Sequence, residues 1–524
     1  MLAKRLEVLG FRFELVGVVG DGAKATYAPV IVKAGKEKEI GVEELLLIEN
    51  LNGNLILGVA RYGYGRAPDL RVAYPSAGRA YARAYGEAPP SSRESFDLSV
   101  SVIGEVVFGP DGKPAGVRQN KLIIAPRSRV YAIREGNPLE LFGGEENGLI
   151  YDVGHYKDRR KWKVPVLKRY IPYHIGVFCV TGWGKTSLVR CKIIPLLRRA
   201  GYGVLVFDWK GDDYAPYAAG NGWEVVKLTD VDFGWDEYDV AGAVMNMAGN
   251  FGFTPAAVAT LGTFEDVLAD LVKEFKDAVK EGRKKPEDFK SFLLQKGPGM
   301  VEQRSTRYGP ENARKFRKHI SRLDEGKLAL LVAEKNVSVE DILRKAREGV
   351  AVVDMGGVET EDKLRGFLAI TDPVWESMNV RREKQGFAIV IDEAPQYCPY
   401  QPSGLQKETT ERIKNLAALG RSYDLPLVLC AQGLAGEIGV NAAVRRNLNT
   451  WFVGKVHPLD REEARRLLPH VELEFLQSLE VGHFYFFGNM CPSPEPLLIR
   501  FELEEPEKAD AGRARGSLDI FAER

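Results

Sequence analysis

The stretch Ile175-Gly176-Val177-Phe178-Cys179-Val180-Thr181-Gly182-Trp183-Gly184-Lys185-Thr186 constrains the fold more than any other. An apolar strand runs out into a glycine turn, and residues 187–200 then read as a basic amphipathic helix. Backbone N–H groups at such a helix start bind anions, and the glycines let the chain wrap a phosphate. The octet Cys179 to Thr186 fits the phosphate-loop pattern G-x-x-x-x-G-K-[ST] except at its first position, where cysteine replaces glycine. The half that carries the chemistry is complete. Gly182 to Thr186 supply the backbone donors, Lys185 would neutralise β/γ-phosphate charge, and the Thr186 hydroxyl would ligate Mg²⁺. The expected cofactors are therefore ATP and Mg²⁺, with Thr181, Gly182, Trp183, Gly184, Lys185, Thr186 and Ser187 around the nucleotide. Cys179 and Trp183 read as variation at tolerant positions that tunes turnover more than binding.

Further apolar strands are expected at 203–207, 349–354, 387–391, 426–430, 450–456 and 482–487. Continuous apolar strands alternating with helices indicate an α/β core with a parallel sheet covered on both faces. We place this core at 149–502. Residues 225–345 interrupt the rhythm: helices are expected at 263–281, 310–322 and 338–347, without a comparable buried strand, so the segment reads as a helical insertion. Residues 1–148 are expected to be all-β, a small barrel or sandwich, because short apolar runs alternate with turns such as Gly20-Asp21-Gly22 and Asn52-Gly53-Asn54. Residues 503–524 read as a C-terminal tail or arm.

The other strand ends add polar groups. Asp392-Glu393 follows the apolar run 387–391, which sets two carboxylates at the edge where open sheets bind ligands. Asp392 would hold the Mg²⁺ shell and Glu393 would orient or deprotonate the attacking water. Asp208 and Asp212 follow the strand at 203–207. Gln432 ends the strand at 426–430, placed to sense the γ-phosphate or the lytic water. Gly420-Arg421 offers a guanidinium of the kind that completes a neighbouring subunit's site, with Arg445 and Arg446 as competing candidates. Together these are expected to reach one sheet edge.

Composition narrows the classes. Lys+Arg total 73 against 72 Asp+Glu, so any nucleic-acid track must be local. Candidate basic segments are Lys284-Lys285, Arg304 to Arg307, Arg314-Lys315 and Arg317-Lys318, each also readable as a solvated helix face. Five scattered cysteines form no CxxC pair, which fits a reducing cytoplasm. No apolar stretch is long enough to span a bilayer. High charge with scarce glutamine points towards a thermophile.

In this order the elements resemble the HerA branch of the HerA/FtsK superfamily of DNA-pumping ATPases. The similarity begins with Leu15-Val16-Gly17-Val18-Val19 and Ala125-Pro126-Arg127-Ser128, which resemble the family's N-terminal barrel. It runs on through Val164-Pro165-Val166, the phosphate loop, Asp208-Trp209-Lys210-Gly211-Asp212, Val352-Val353-Asp354-Met355, Ile391-Asp392-Glu393-Ala394, Gly420-Arg421 and Ala431-Gln432. Cys-Val-Thr-Gly-Trp-Gly-Lys-Thr and Lys-Gly-Asp depart from the family's usual Gly-x-Thr-Gly-Ser-Gly-Lys-Ser and His-Gly-Glu. The resemblance implies a RecA-like phosphate-loop ATPase core behind a HAS-barrel-like domain. It further implies an archaeal homohexamer that threads double-stranded DNA, with ATP between subunits and Arg421 acting in trans. A NurA-like nuclease would dock on the barrel face during double-strand-break end resection, with Lys185, Glu393, Gln432 and Arg421 as the catalytic set. The alternatives are a related motor that transfers DNA across a membrane and a nucleotide-binding scaffold with little turnover.

Overall fold

The computed structural model describes residues 8–70, 76–90, 93–143, 148–151, 153–436 and 439–502. The expected tail at 503–524 lies outside the described residues.

Seven strands build the N-terminal region: β1 (Arg12–Val19), β2 (Tyr27–Val32), β3 (Leu45–Glu49), β4 (Leu55–Arg66), β5 (Ser95–Phe108), β6 (Pro114–Arg118) and β7 (Arg129–Glu135). They are ordered β2-β1-β7-β3-β4-β5-β6, and β2 also pairs with β5, so six strands close into an antiparallel ring. Closure removes the exposed sheet edges that invite aggregation. Val16, Val30, Leu46, Ile48, Ile56, Val100 and Val130 fill the interior. An α-helix and the short 3₁₀ turns Pro68–Leu70 and Pro138–Phe142 depart from the all-β expectation. Helix Ala77–Tyr85 starts where the Ser76 side chain accepts the Arg79 N–H, and it ends at left-handed Gly86.

The α/β core is built on one sheet of eleven strands. In chain order these are β8 (His155–Tyr156), β9 (Arg159–Lys163), β10 (Ile175–Phe178), β11 (Gly203–Asp208), β12 (Glu224–Lys227), β13 (Val350–Asp354), β14 (Phe387–Ile391), β15 (Leu427–Ala431), β16 (Thr450–Val453), β17 (His483–Gly488) and β18 (Leu497–Arg500). Their order is β9-β8-β18-β17-β16-β10-β15-β14-β11-β13-β12. From β16 to β12 all neighbours are parallel, while β17, β18, β8 and β9 extend the sheet antiparallel. Alternate residues of one strand serve opposite faces, as the two-residue period requires. Leu205 and Phe207 join one apolar cluster, Val204 and Val206 the other. Gly203 permits the approach to helix Val339–Glu348, since a Cβ there would lie 1.9 Å from the Ala346 carbonyl oxygen.

The insertion is smaller than expected. Residues 224–227 form edge strand β12, paired with β13, so the helical part starts at Glu237. Helices Glu237–Met247, Val258–Lys280, Phe289–Arg304, Gly309–Ile320 and Glu325–Val332 enclose a separate core containing Phe251, Phe264, Phe275, Phe289 and Phe316. Helices Glu237–Met247, Phe289–Arg304 and Glu325–Val332 add to those expected, and Phe289–Arg304 accommodates Pro298 within its length. Among the described residues no helix is long and apolar enough to cross a membrane.

Candidate nucleotide site

Strand β10 lies between β15 and β16, so the loop that leaves it emerges in the middle of the parallel sheet. Gly182 and Gly184 hold φ of +82° and +95°, the left-handed region that glycine occupies without strain. A Cβ on Gly182 would meet nothing within 4 Å, so the cradle is open at that point. Helix Lys185–Leu188 follows at once and continues through a π turn, Val189–Ile193, into helix Ile194–Arg199. Thr186 and Ser187 sit half-buried on its first turn.

Trp183 is tied into the fold at a position expected to be tolerant. Its indole N–H donates to the Leu479 carbonyl (2.7 Å), and the Lys455 ammonium stands over its ring at 4.2 Å. The Gly482 N–H donates to the Trp183 carbonyl (3.2 Å), so the loop is tied to the segment that leads into β17. Cys179 is buried, and burial pushes its thiol up to about 12.

Behind the loop, Asp392 and Glu393 leave the end of β14. Lys185 Nζ lies 3.6 Å from Asp392 Oδ1 and 3.8 Å from Glu393 Oε1, beyond hydrogen-bond length. Lys185 Nζ and both Asp392 oxygens are buried without a hydrogen-bond partner. Buried polar groups in native proteins are nearly always satisfied, so three orphans in one place mark where a ligand belongs. Burial raises the Asp392 carboxyl to about 7, against the pull of Lys185. Burial also disfavours the Lys185 cation, but Asp392 and the other acidic neighbours outweigh it and hold the ammonium above its ordinary range. Glu393 goes the other way: burial would raise it, yet Lys185, Lys210 and the Gln432 amide together lower it. Its backbone is left-handed at φ +48° and ψ +48°, a strained conformation for a non-glycine residue and one common at working sites.

A polar chain joins three strand ends. The Thr181 hydroxyl donates to Gln432 Oε1 (2.8 Å), and the Gln432 amide donates to Glu393 Oε1 and Oε2 (3.1 and 3.3 Å). The Lys210 ammonium then donates to Glu393 Oε1 at 2.9 Å. Gln432 therefore reaches both the loop and the carboxylate. Lys210 was missed. The signal was its place two residues beyond Asp208, in a turn that Asp208 builds by accepting the N–H groups of Gly211, Tyr214 and Ala215. Asp212, expected at the same edge as Asp208, is exposed, and it is Asp213 that joins Asp208 and Asp392, with ligand atoms within 4.8 Å of one another.

Arg421 does not share this edge. It follows helix Leu405–Gly420 and precedes β15, which puts it at the opposite, N-terminal end of the strands, with its guanidinium 4.3 Å over Tyr173. A residue just before a parallel strand cannot reach the edge where that strand ends. Arg445 pairs with Glu463 (3.1 Å) and donates to the Leu434 carbonyl, whereas Arg446 is exposed. Of the basic candidates, Arg304 pairs with Asp270 (2.6 Å), Lys284 lies over Phe292 and Lys315 over Phe253.

A central parallel strand, a left-handed glycine loop, a buried helix-start lysine and a carboxylate pair on a nearby strand define a phosphate-loop NTPase core. Residues 151–371, which carry the loop, match the family model described as "Helicase HerA, central domain". No curated protein matches the chain. Several solved structures resemble it. VirB4 of Thermoanaerobacter pseudethanolicus is 15% identical with a TM-score of 0.42, over 67% of this chain and 96% of that one. The plasmid coupling protein TrwB in complex with ADP and Mg²⁺ is 14% identical, TM-score 0.38, over 65% and 88%. The genome packaging NTPase B204 from Sulfolobus turreted icosahedral virus 2 is 12% identical, TM-score 0.30, over 63% and 98%.

Proposed function

We propose that this chain hydrolyses ATP to drive double-stranded DNA translocation, as a homohexamer serving end resection beside a NurA-like nuclease. The observation that carries the ATPase part is the orphaned set of Lys185 Nζ and Asp392 Oδ1 and Oδ2, within reach of the Gln432–Glu393 pair. Its residues fit a nucleotide with its cation: loop N–H groups and Lys185 for the phosphates, Thr186 and Asp392 for Mg²⁺. Bound Mg²⁺ would supply positive charge that offsets the charge developing on the phosphates. Glu393, kept ionised by Lys210, Lys185 and the Gln432 amide, orients the attacking water and accepts its proton. Gln432 touches the loop through Thr181, so it registers what the loop holds. The position of Arg421, remote from its own site but on the surface, suits a residue that serves the adjacent subunit of a ring.

The DNA and hexamer parts rest on the central-domain family and the ordered motif series. The test is ATP hydrolysis with and without duplex DNA, in the wild type and in Lys185→Ala and Glu393→Gln. Hydrolysis should rise with DNA, fall by ~100-fold or more in either variant, and leave ATP binding intact in Glu393→Gln. Hydrolysis that does not depend on Lys185 would refute the assignment.

A further inference from the structure

We propose that Asp213, with Asp392 and Asp208, holds a divalent cation that binds before any nucleotide arrives. The inference deepens the nucleotide-site reading and shares one residue with it, Asp392. Each of the three aspartates offers an oxygen, all within 4.8 Å of one another. An octahedral Mg²⁺ or Mn²⁺ spans about 4 Å between opposite oxygens, twice its ~2.1 Å ligand distance, so a small inward shift of side chains completes the site. Acidic clusters are common without an ion. What distinguishes this one is Asp392, fully buried with neither oxygen hydrogen-bonded. The Lys185 ammonium, at 3.6 Å, is too far to supply the missing bond.

Charge balance points to the same ion. Four carboxylates (Asp208, Asp213, Asp392, Glu393) face two ammonium groups (Lys185, Lys210). The carboxylates outnumber the ammonium groups, and a divalent cation offsets that excess. Buried charges in such surroundings demand compensation.

The ligands are also positioned in advance. Asp208 is locked by three backbone N–H groups. The backbone of Asp213 is held through its carbonyl, which accepts from Arg190 Nη1 (2.8 Å), and Arg190 is itself packed on the Tyr217 ring at 3.5 Å. Asp213 is only half-buried, which leaves a route for the ion and for the waters an octahedral shell requires.

The experiment is Mn²⁺ titration of the nucleotide-free full chain, following free Mn²⁺ by electron paramagnetic resonance. The wild type should bind one Mn²⁺ per chain, Asp213→Asn should bind at least tenfold more weakly, and Asp212→Asn, outside the triad, should match the wild type. Mn²⁺ should also raise the unfolding midpoint of the wild type and not that of Asp213→Asn, a readout independent of hydrolysis. Absence of Mn²⁺ binding without nucleotide, or equal binding by Asp213→Asn, overturns the proposal. Binding of a fluorescent ATP analogue in EDTA is measured in parallel. Its failure alone counts against the nucleotide reading, and the Mn²⁺ result then stands by itself.

Discussion

His174, just before β10, should make the fold acid-sensitive in a narrow window. The Leu427 N–H donates to His174 Nδ1 at 3.0 Å, so that nitrogen must carry a lone pair. The proton then sits on Nε2, which lies 2.7 Å from the Ala417 carbonyl and donates to it. Protonating the ring would aim two N–H groups at each other in a buried site. Burial holds the imidazole down to about 4, against a smaller opposing pull from the Ala417 carbonyl. The unfolded chain takes up its proton near 6.5 and the folded chain only near 4, so the unfolded state binds more protons between them. Stability from this group is complete above pH 6.5, is lost as pH falls towards 4, and changes no further below. Linkage puts the loss between pH 7 and pH 5 at about 2 kcal/mol. The comparison variant is His174→Asn, which does not titrate, so only the pH dependence of the two unfolding free energies is compared. Urea unfolding at both pH values should show the wild type losing about 2 kcal/mol more than the variant, other titrations cancelling in the difference. Equal losses would refute a neutral, doubly bonded His174.

Trp183→Ser removes the hydrogen bond to Leu479 and the ring beneath Lys455. The expected result is a loss of roughly 1–3 kcal/mol in unfolding free energy together with a changed kcat, read by denaturant unfolding and steady-state hydrolysis. Arg61→Met strands Glu43, whose carboxylate meets Arg61 Nη1 at 2.7 Å where both side chains are 1% exposed. It should cost roughly 3–5 kcal/mol, and adding Glu43→Gln should recover part of that; calorimetric unfolding of the single and double variants checks both statements.

The parallel sheet was legible because its strands are apolar on both faces and end in polar residues: 203–207, 387–391 and 426–430 each fall within a residue of the observed strand. The Gly-Lys-Thr helix start, Asp392, Glu393 and Gln432 were legible for the same reason, being the first polar groups after such runs. Strand Glu224–Lys227 was not. It lies at the sheet edge with one buried residue, Val226, so it lacks the apolar signature. Asp213 and Lys210 were missed or misassigned by one position because the turn after Asp208 sets their direction, and that turn is fixed by backbone hydrogen bonds that no periodicity announces. Arg421 is near Gln432 in sequence but not in space. The intervening strand carries the two to opposite ends of the sheet.

Strand β17 explains why Trp183 is more than local variation. Gly482, bonded to the Trp183 carbonyl, immediately precedes β17, and the third residue of β17 is Tyr485. The Tyr485 hydroxyl donates to Glu43 Oε1 (3.1 Å), and the Glu43 carboxylate is clamped by Arg61 Nη1. Arg61 Nη2 donates in turn to the Pro496 carbonyl (2.6 Å), just before β18. At about 3.3 Å per residue, the bond to the phosphate loop and the bond to the barrel lie about 10 Å apart on one strand. The barrel is therefore tied to the antiparallel extension of the sheet that also holds the loop. A chain whose loop carried serine in place of Trp183 would keep the phosphate cradle but lose the indole's share of that tie. The departure from the usual loop sequence is thus better understood as an added anchor between the loop and the segment leading into β17 than as decay of a nucleotide site.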